Sequence, residues 1–222
     1  PGKIWQRNSN DFSVLVSEGY RPEAYPEDAV NFILYHKISG PMFNHDNFAG
    51  YLIWRLSPEH MPVFTDSRYD LWGSKYAKEE LGVFDIWKIP LGAYAPSGEW
   101  YEFRREWTRD DVIHFITQIG KLEQFPEIQR WYESKKPYWQ YILDKYNVNF
   151  IISYEGYPID QMLRNEFHGW FLIYDDTITY GKTGGYVIYL RGTPENANLL
   201  KKLAIKFRDR IPQSVNGEQP DT

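Results

Sequence analysis

The densest group of chemistry-bearing side chains is Asp66-Ser-Arg68-Tyr-Asp70. Two carboxylates flanking a guanidinium can hold a network of sugar hydroxyls or, with a further ligand, a divalent cation. The simpler and favoured reading is that Arg68 neutralises Asp66 or Asp70 and pins a turn, because structural ion pairs also gather at strand ends. A second polar group, Asn44-His45-Asp46-Asn47, follows a short apolar segment. Asn44 and Asp46 can face the same crevice as the first group, although capping of the next helix accounts for them more simply. A third candidate is aromatic. Trp87, Tyr94, Trp100, Tyr101 and Trp107 fall in a Gly/Pro-rich stretch where a buried sheet face is less available. Of these, Trp100 is taken as the ligand-contact candidate, since an indole offers a flat apolar face with one hydrogen-bond donor to a glycan or peptide.

Familiar catalytic signatures are missing. The chain has no G-x-G-x-x-G after a strand, no H-E-x-x-H and no G-x-S-x-G. Gly181-Lys182-Thr183 looks like the end of a phosphate-binding loop, but Asp176 stands where the earlier glycine is needed. The five histidines are scattered, with no i, i+4 pair to aim two rings at one metal. Neither a cofactor nor a metal centre is expected from these patterns.

The elements that must position these groups follow from apolar spacing. Pro26 with Glu27 and Asp28 starts a helix whose stripe is Ala29, Val30, Ile33 and Leu34. A short strand over Met42 to Asn44 precedes a helix capped by Asp46 or Asn47, carrying Phe48, Tyr51, Leu52 and Leu56 and ended by Pro58. Met61 to Asp66 reads as a second buried strand, which would put Asp66 to Asp70 at a carboxyl end where ligands sit in parallel sheets. Helical spacing recurs at 71–81, from Thr108 or Asp110 through Ile119, at 138–146 and at 158–167. Residues 82–107 read as irregular. Val148 to Ser153 is a third strand, Trp170–Tyr174 and Tyr186–Leu190 form an antiparallel pair, and a last helix starts at Thr193-Pro194-Glu195 and ends at Pro212.

This order predicts an α/β fold: a layered, mainly parallel sheet with flanking helices and a C-terminal antiparallel hairpin. Residues 1–22 form a lead-in and 23–212 a single domain. An aromatic-rich, partly helical insertion occupies about 82–132, and 213–222 a flexible tail. At 222 residues the chain can bury a substantial core. With 25 Lys+Arg against 30 Asp+Glu, a net charge of −5, it lacks the positive field that draws in nucleic acid or anionic lipid. It has no cysteine, which excludes thiolate nucleophiles and disulfides, and no apolar run near the roughly 18 residues that cross a bilayer. The start at Pro1-Gly-Lys, with neither Met nor a signal segment, suggests an excised fragment or a mature form.

One ordered set of segments goes further. Pro26-Glu-Asp-Ala-Val-Asn-Phe-Ile33, Phe43-Asn44, Phe48-Ala-Gly-Tyr-Leu-Ile-Trp54, Pro62-Val-Phe-Thr-Asp-Ser-Arg68-Tyr-Asp70-Leu71, Trp139-Gln-Tyr-Ile-Leu-Asp-Lys-Tyr146-Asn-Val148, Trp170 with Tyr174-Asp175, and Tyr189-Leu-Arg191 occur in sequence. Together they resemble the soluble C-terminal domain that follows the transmembrane helices in bacterial polytopic proteins related to C-type membrane glycosyltransferases. The resemblance covers about residues 22–80 and 137–192. It departs at Ala49-Gly50, where the family has paired glycines, and at the longer 82–132 region; the W-W-D-Y-G motif of oligosaccharyltransferases is absent. The resemblance implies a non-catalytic accessory domain on the extracytoplasmic side of the cell membrane. Its partners would be the transmembrane part of the same parent chain and a glycan, protein or lipid-linked sugar acceptor. The alternatives are a carbohydrate-binding module using Asp66, Arg68, Asp70 and the loop aromatics, and, behind it, a metal-assisted hydrolase with Asp66 and Asp70 as ligands.

Overall fold

A computed structural model describes residues 25–56, 61–65, 78–166, 168–180 and 185–208. The chain is α/β. Helix α1 (Glu27–His36) leads to strand β1 (Met42–Asn44), a 3₁₀ turn (Asp46–Phe48) and α2 (Ala49–Leu56). Helical backbone reappears at 78–84. Then come β2 (Gly92–Tyr94), β3 (Trp100–Glu102), α3 (Arg109–Ile119), α4 (Pro126–Ser134), α5 (Tyr138–Lys145), β4 (Phe150–Tyr154) and α6 (Pro158–Asn165). β5 (Trp170–Asp175), α7 (Asp176–Tyr180), β6 (Tyr186–Arg191) and α8 (Ala197–Arg208) complete the described chain. No helix among the described residues is long and apolar enough to cross a membrane.

The main sheet has the order β1-β4-β6-β5. Only β1 and β4 run parallel, with Phe43 opposite Ile151; β4–β6 and β6–β5 are antiparallel. The expected C-terminal antiparallel pair is therefore present, whereas the mainly parallel sheet is met at one pairing alone. Alternation along the strands sorts side chains into two cores, because successive residues point to opposite faces. Met42, Phe150, Ile152, Ile188 and Leu190 meet Ala29, Val30 and Ile33 of α1, Leu52 and Leu56 of α2, and Leu203 of α8. Phe43, Ile151, Val187 and Tyr189 meet Trp139, Ile142 and Leu143 of α5, Ile159 of α6, and the core of the 82–132 region.

Several boundaries differ from the sequence expectation. Residues 61–65 are not a strand. Their backbone is held by a side chain instead: the amide of Asn44, itself fully buried, donates to the Thr65 carbonyl at 3.1 Å and accepts the Phe64 N–H at 2.7 Å. One carboxamide thus supplies the donor and acceptor a ladder would have supplied. The 82–107 region is more ordered than expected, since β2 and β3 pair antiparallel with Ala93 opposite Tyr101. Helix α4, with Pro126 at its first turn and Ile128 and Trp131 buried, is also additional. Of the two expected starts of α3, Thr108 is the cap, and it forms a reciprocal capping box with Asp111. α7 occupies part of the β5–β6 connection that reads as a plain polar tip, and α8 begins at Ala197 rather than at Thr193. Pro58, Pro212 and the Gly181-Lys182-Thr183 stretch lie outside the described residues.

Asn44 therefore has a structural role, holding the 61–65 segment against β1. Asn44→Ala removes the partners of the part-buried Phe64 N–H and the buried Thr65 carbonyl and is expected to cost about 2–4 kcal/mol in urea-induced unfolding. A loss below about 1 kcal/mol would mean that the 61–65 segment is anchored by something else.

Candidate functional site

The carboxyl end of β1 carries the tightest polar cluster. After Asn44 the chain stays extended at His45 (φ −77°, ψ 143°), whose Nδ1 accepts the Asn47 N–H at 3.2 Å and caps the 3₁₀ turn. The expected caps Asp46 and Asn47 thus lie inside the turn, and the preceding histidine does the capping. The Asp46 carboxylate lies 2.7 Å from the same His45 nitrogen, and the Asp46 N–H donates to Glu80 Oε1 at 3.0 Å. Glu80, on the 78–84 helical stretch, receives on its other oxygen a hydrogen bond from the buried Thr65 hydroxyl. Three separate segments therefore converge on one carboxylate.

Aromatic rings wall the cluster. The His45 ring lies 4.8 Å from Phe84, 5.6 Å from Tyr157 and 5.7 Å from Tyr154, centroid to centroid. Burial dominates the electrostatics that result. It pushes the Glu80 carboxyl up to about 7, against the opposing effect of its Thr65 and Asp46 donors. It also lowers the His45 imidazole below its ordinary value, outweighing the attraction of Asp46.

Glu79 has the opposite circumstances. It is equally buried but accepts hydrogen bonds from the Lys145 ammonium (2.8 Å) and the Tyr146 hydroxyl (2.7 Å), and Lys145 also pairs with Glu127 at 2.5 Å. Successive helical residues point about 100° apart. One carboxylate of the Glu79-Glu80 pair thus fastens the helical stretch to α5 and α4, while its neighbour enters the cluster.

Trp100 lies elsewhere. It lines a cavity of about 220 Å³ with Lys78, Tyr94, Gln124, Phe125 and Ile128. The Lys78 ammonium sits 3.5 Å above its ring and the Tyr94 ring meets it at 4.9 Å, so much of the indole is already covered. The neighbouring strand residue must be Gly92, because a β-carbon there would lie 2.5 Å from the Trp100 ring.

A larger groove, about 790 Å³, shares Pro90 and Leu91 with this cavity. Trp87, Trp107, Phe103, Arg105, Arg109 and Lys88 are among its walls. The Arg105 guanidinium is 5.1 Å from the Trp87 ring centroid and only loosely paired with Asp85 at 3.8 Å. Arg109 is committed to structure, donating to the carbonyls of Tyr132 (2.8 Å) and Lys136 (2.5 Å) at the end of α4. The buried Trp87 Nε1–H has no hydrogen-bond acceptor among the described residues. Beside it, Ile86 holds a φ of 50°, a costly conformation for a β-branched residue and one that cores rarely contain without reason.

Of the residues singled out from sequence, Asn44 and Asp46 share the β1 end, and Trp100 is separate. Asp66, Arg68 and Asp70 lie outside the described residues, one of them directly following Thr65 in sequence. Sequence reading gave His45 only as part of the Asn44–Asn47 group and did not single out Thr65 or Glu80. The only pointer to Glu80 is a pair of consecutive glutamates beside apolar Leu81 and Val83. No family model, no curated protein and no solved structure matches the chain.

A glutamate raised from 4.5 to about 7 binds an extra proton in the folded state between those values. Its contribution to stability is complete below about 4.5 and lost as pH rises through about 7. Without added metal, the wild-type protein should lose about 2–3 kcal/mol of stability from pH 5 to pH 8 relative to Glu80→Gln, measured by chemical denaturation at each pH. Parallel pH profiles for the two proteins would show that Glu80 is ionised normally.

Proposed function

We propose that this domain is a non-catalytic recognition module that seats a glycan acceptor in the groove walled by Trp87, Trp107 and Arg105. Its parent, on this reading, is a membrane-embedded glycosyltransferase-like protein that displays the domain on the extracytoplasmic side. The observation that carries the recognition reading is the groove itself. Its volume is that of a small-ligand site. It combines indole faces for the C–H faces of a sugar with a loosely held guanidinium that donates to hydroxyl or carboxylate oxygens. The ordered segments that resemble those of glycosyltransferase-related domains support the parentage. With Lys88, Arg105, Arg109 and Lys135 against Asp85 and Glu106, the walls favour glycans that carry acidic groups.

Titration with neutral and uronate-containing oligosaccharides, followed by tryptophan fluorescence, tests this. Acidic glycans should change the emission saturably, and Arg105→Ala, at a side chain 71% exposed and outside the core, should weaken binding roughly fivefold or more while leaving the fold intact. Absence of any saturable response across the panel, or unchanged affinity in Arg105→Ala, would remove the groove as the acceptor site.

A further inference from the structure

We propose that His45, Asp46 and Glu80 form a binding site for a divalent cation of the zinc or manganese type. The donor set is one imidazole nitrogen and two carboxylate oxygens, which suits such borderline ions. One ligand atom from each residue lies within 4.8 Å of the other two. His45 Nδ1 is 2.7 Å from Asp46 Oδ1 and 4.0 Å from Glu80 Oε1, separations that bracket the roughly 3.3 Å between neighbouring ligand atoms around tetrahedral zinc. Small side-chain rotations equalise them.

Two further observations point to an ion rather than to a chance gathering of acids. The first is that the single in-plane position of His45 Nδ1 faces both the Asp46 oxygen at 2.7 Å and the Asn47 N–H at 3.2 Å. A proton on Nδ1 serves only the first of these, and a cation can take that proton's place between imidazole and carboxylate. The second is the support around the ligands. The Thr65 hydroxyl holds the Glu80 oxygen that faces away from His45, and the Asp46 N–H orients the other. Side-chain exposures of 16%, 12% and 4% for His45, Asp46 and Glu80 keep the group out of bulk water. Oriented, partly dry ligands are what metal sites require beyond ligand identity. None of these residues lines the Trp87–Trp107 groove, so this site stands or falls separately from glycan recognition.

Calorimetric titration of the metal-free full chain with Zn²⁺ and with Mn²⁺ is the test. One saturable site is expected, weakened at least about tenfold by Glu80→Gln and by Asp46→Asn and unaffected by His114→Ala, which removes an exposed histidine elsewhere. Zn²⁺ should raise the melting temperature of the wild type and not that of Asp46→Asn. Asp46 is partly exposed, so its variant serves if Glu80→Gln fails to fold. No saturable uptake by the wild type would overturn the proposal and assign the positive charge in the cluster to a proton. Equal affinity in wild type and both ligand variants would place any bound ion at another site, with the same consequence.

Discussion

A buried carboxylate that no lysine or arginine among the described residues contacts is the constraint around which the first half of this protein is arranged. Glu80 is 3% exposed, yet the groups that reach its oxygens are a hydroxyl and a backbone amide, with the His45 ring 4.0 Å away. Ionised carboxylates leave water at a cost of several kcal/mol unless a charge compensates them. The fold meets this cost by bringing together the end of β1, the 61–65 segment and the 78–84 helical stretch. Those three are also the parts that the buried Asn44 amide and the Glu79–Lys145 pair secure. The neighbouring Glu79 shows the contrast, since a lysine and a tyrosine hydroxyl make it a structural fastener with no chemistry to spare.

The sheet gives this arrangement its rigidity. Parallel pairing of β1 with β4 places His45 and Tyr154 at the same end of the sheet, and the two apolar cores cover β4 and β6 on both faces. A second buried network, in which Arg164 binds Asp160 and Asp175 while the Tyr189 hydroxyl binds Asp160, ties α6 to β5 and β6. One guanidinium is shared there between two carboxylates, and the groups named serve to hold elements together. The aromatic surplus divides in the same way: Trp131 and Trp139 fill the core, whereas Trp87 and Trp107 stand at the wall of a groove.

Much of the architecture was legible in the residue pattern. The apolar stripe of α1, the cap Thr108 of α3, and the β-rich runs of β4, β5 and β6 announce themselves through local periodicity and capping chemistry. Residues 61–65 carry the same strand-like composition and fail to pair, because Asn44 reaches them with a side chain first. Helix α4 and the β2–β3 hairpin were hidden among Gly, Pro and aromatic residues whose conformation depends on what they pack against.

The sequence by itself determined the α/β class, the C-terminal antiparallel pair, the absence of cysteine chemistry and the gathering of polar residues just after β1. Those properties depend on composition and on contacts a few residues apart. Tertiary structure alone decided that Asn44 serves the backbone, that Trp100 is covered by Lys78, and that Glu80 meets His45 and Asp46 across 34 residues of chain. Such meetings arise from helix and sheet packing, and a burial-driven change in a carboxylate has no counterpart in local residue order.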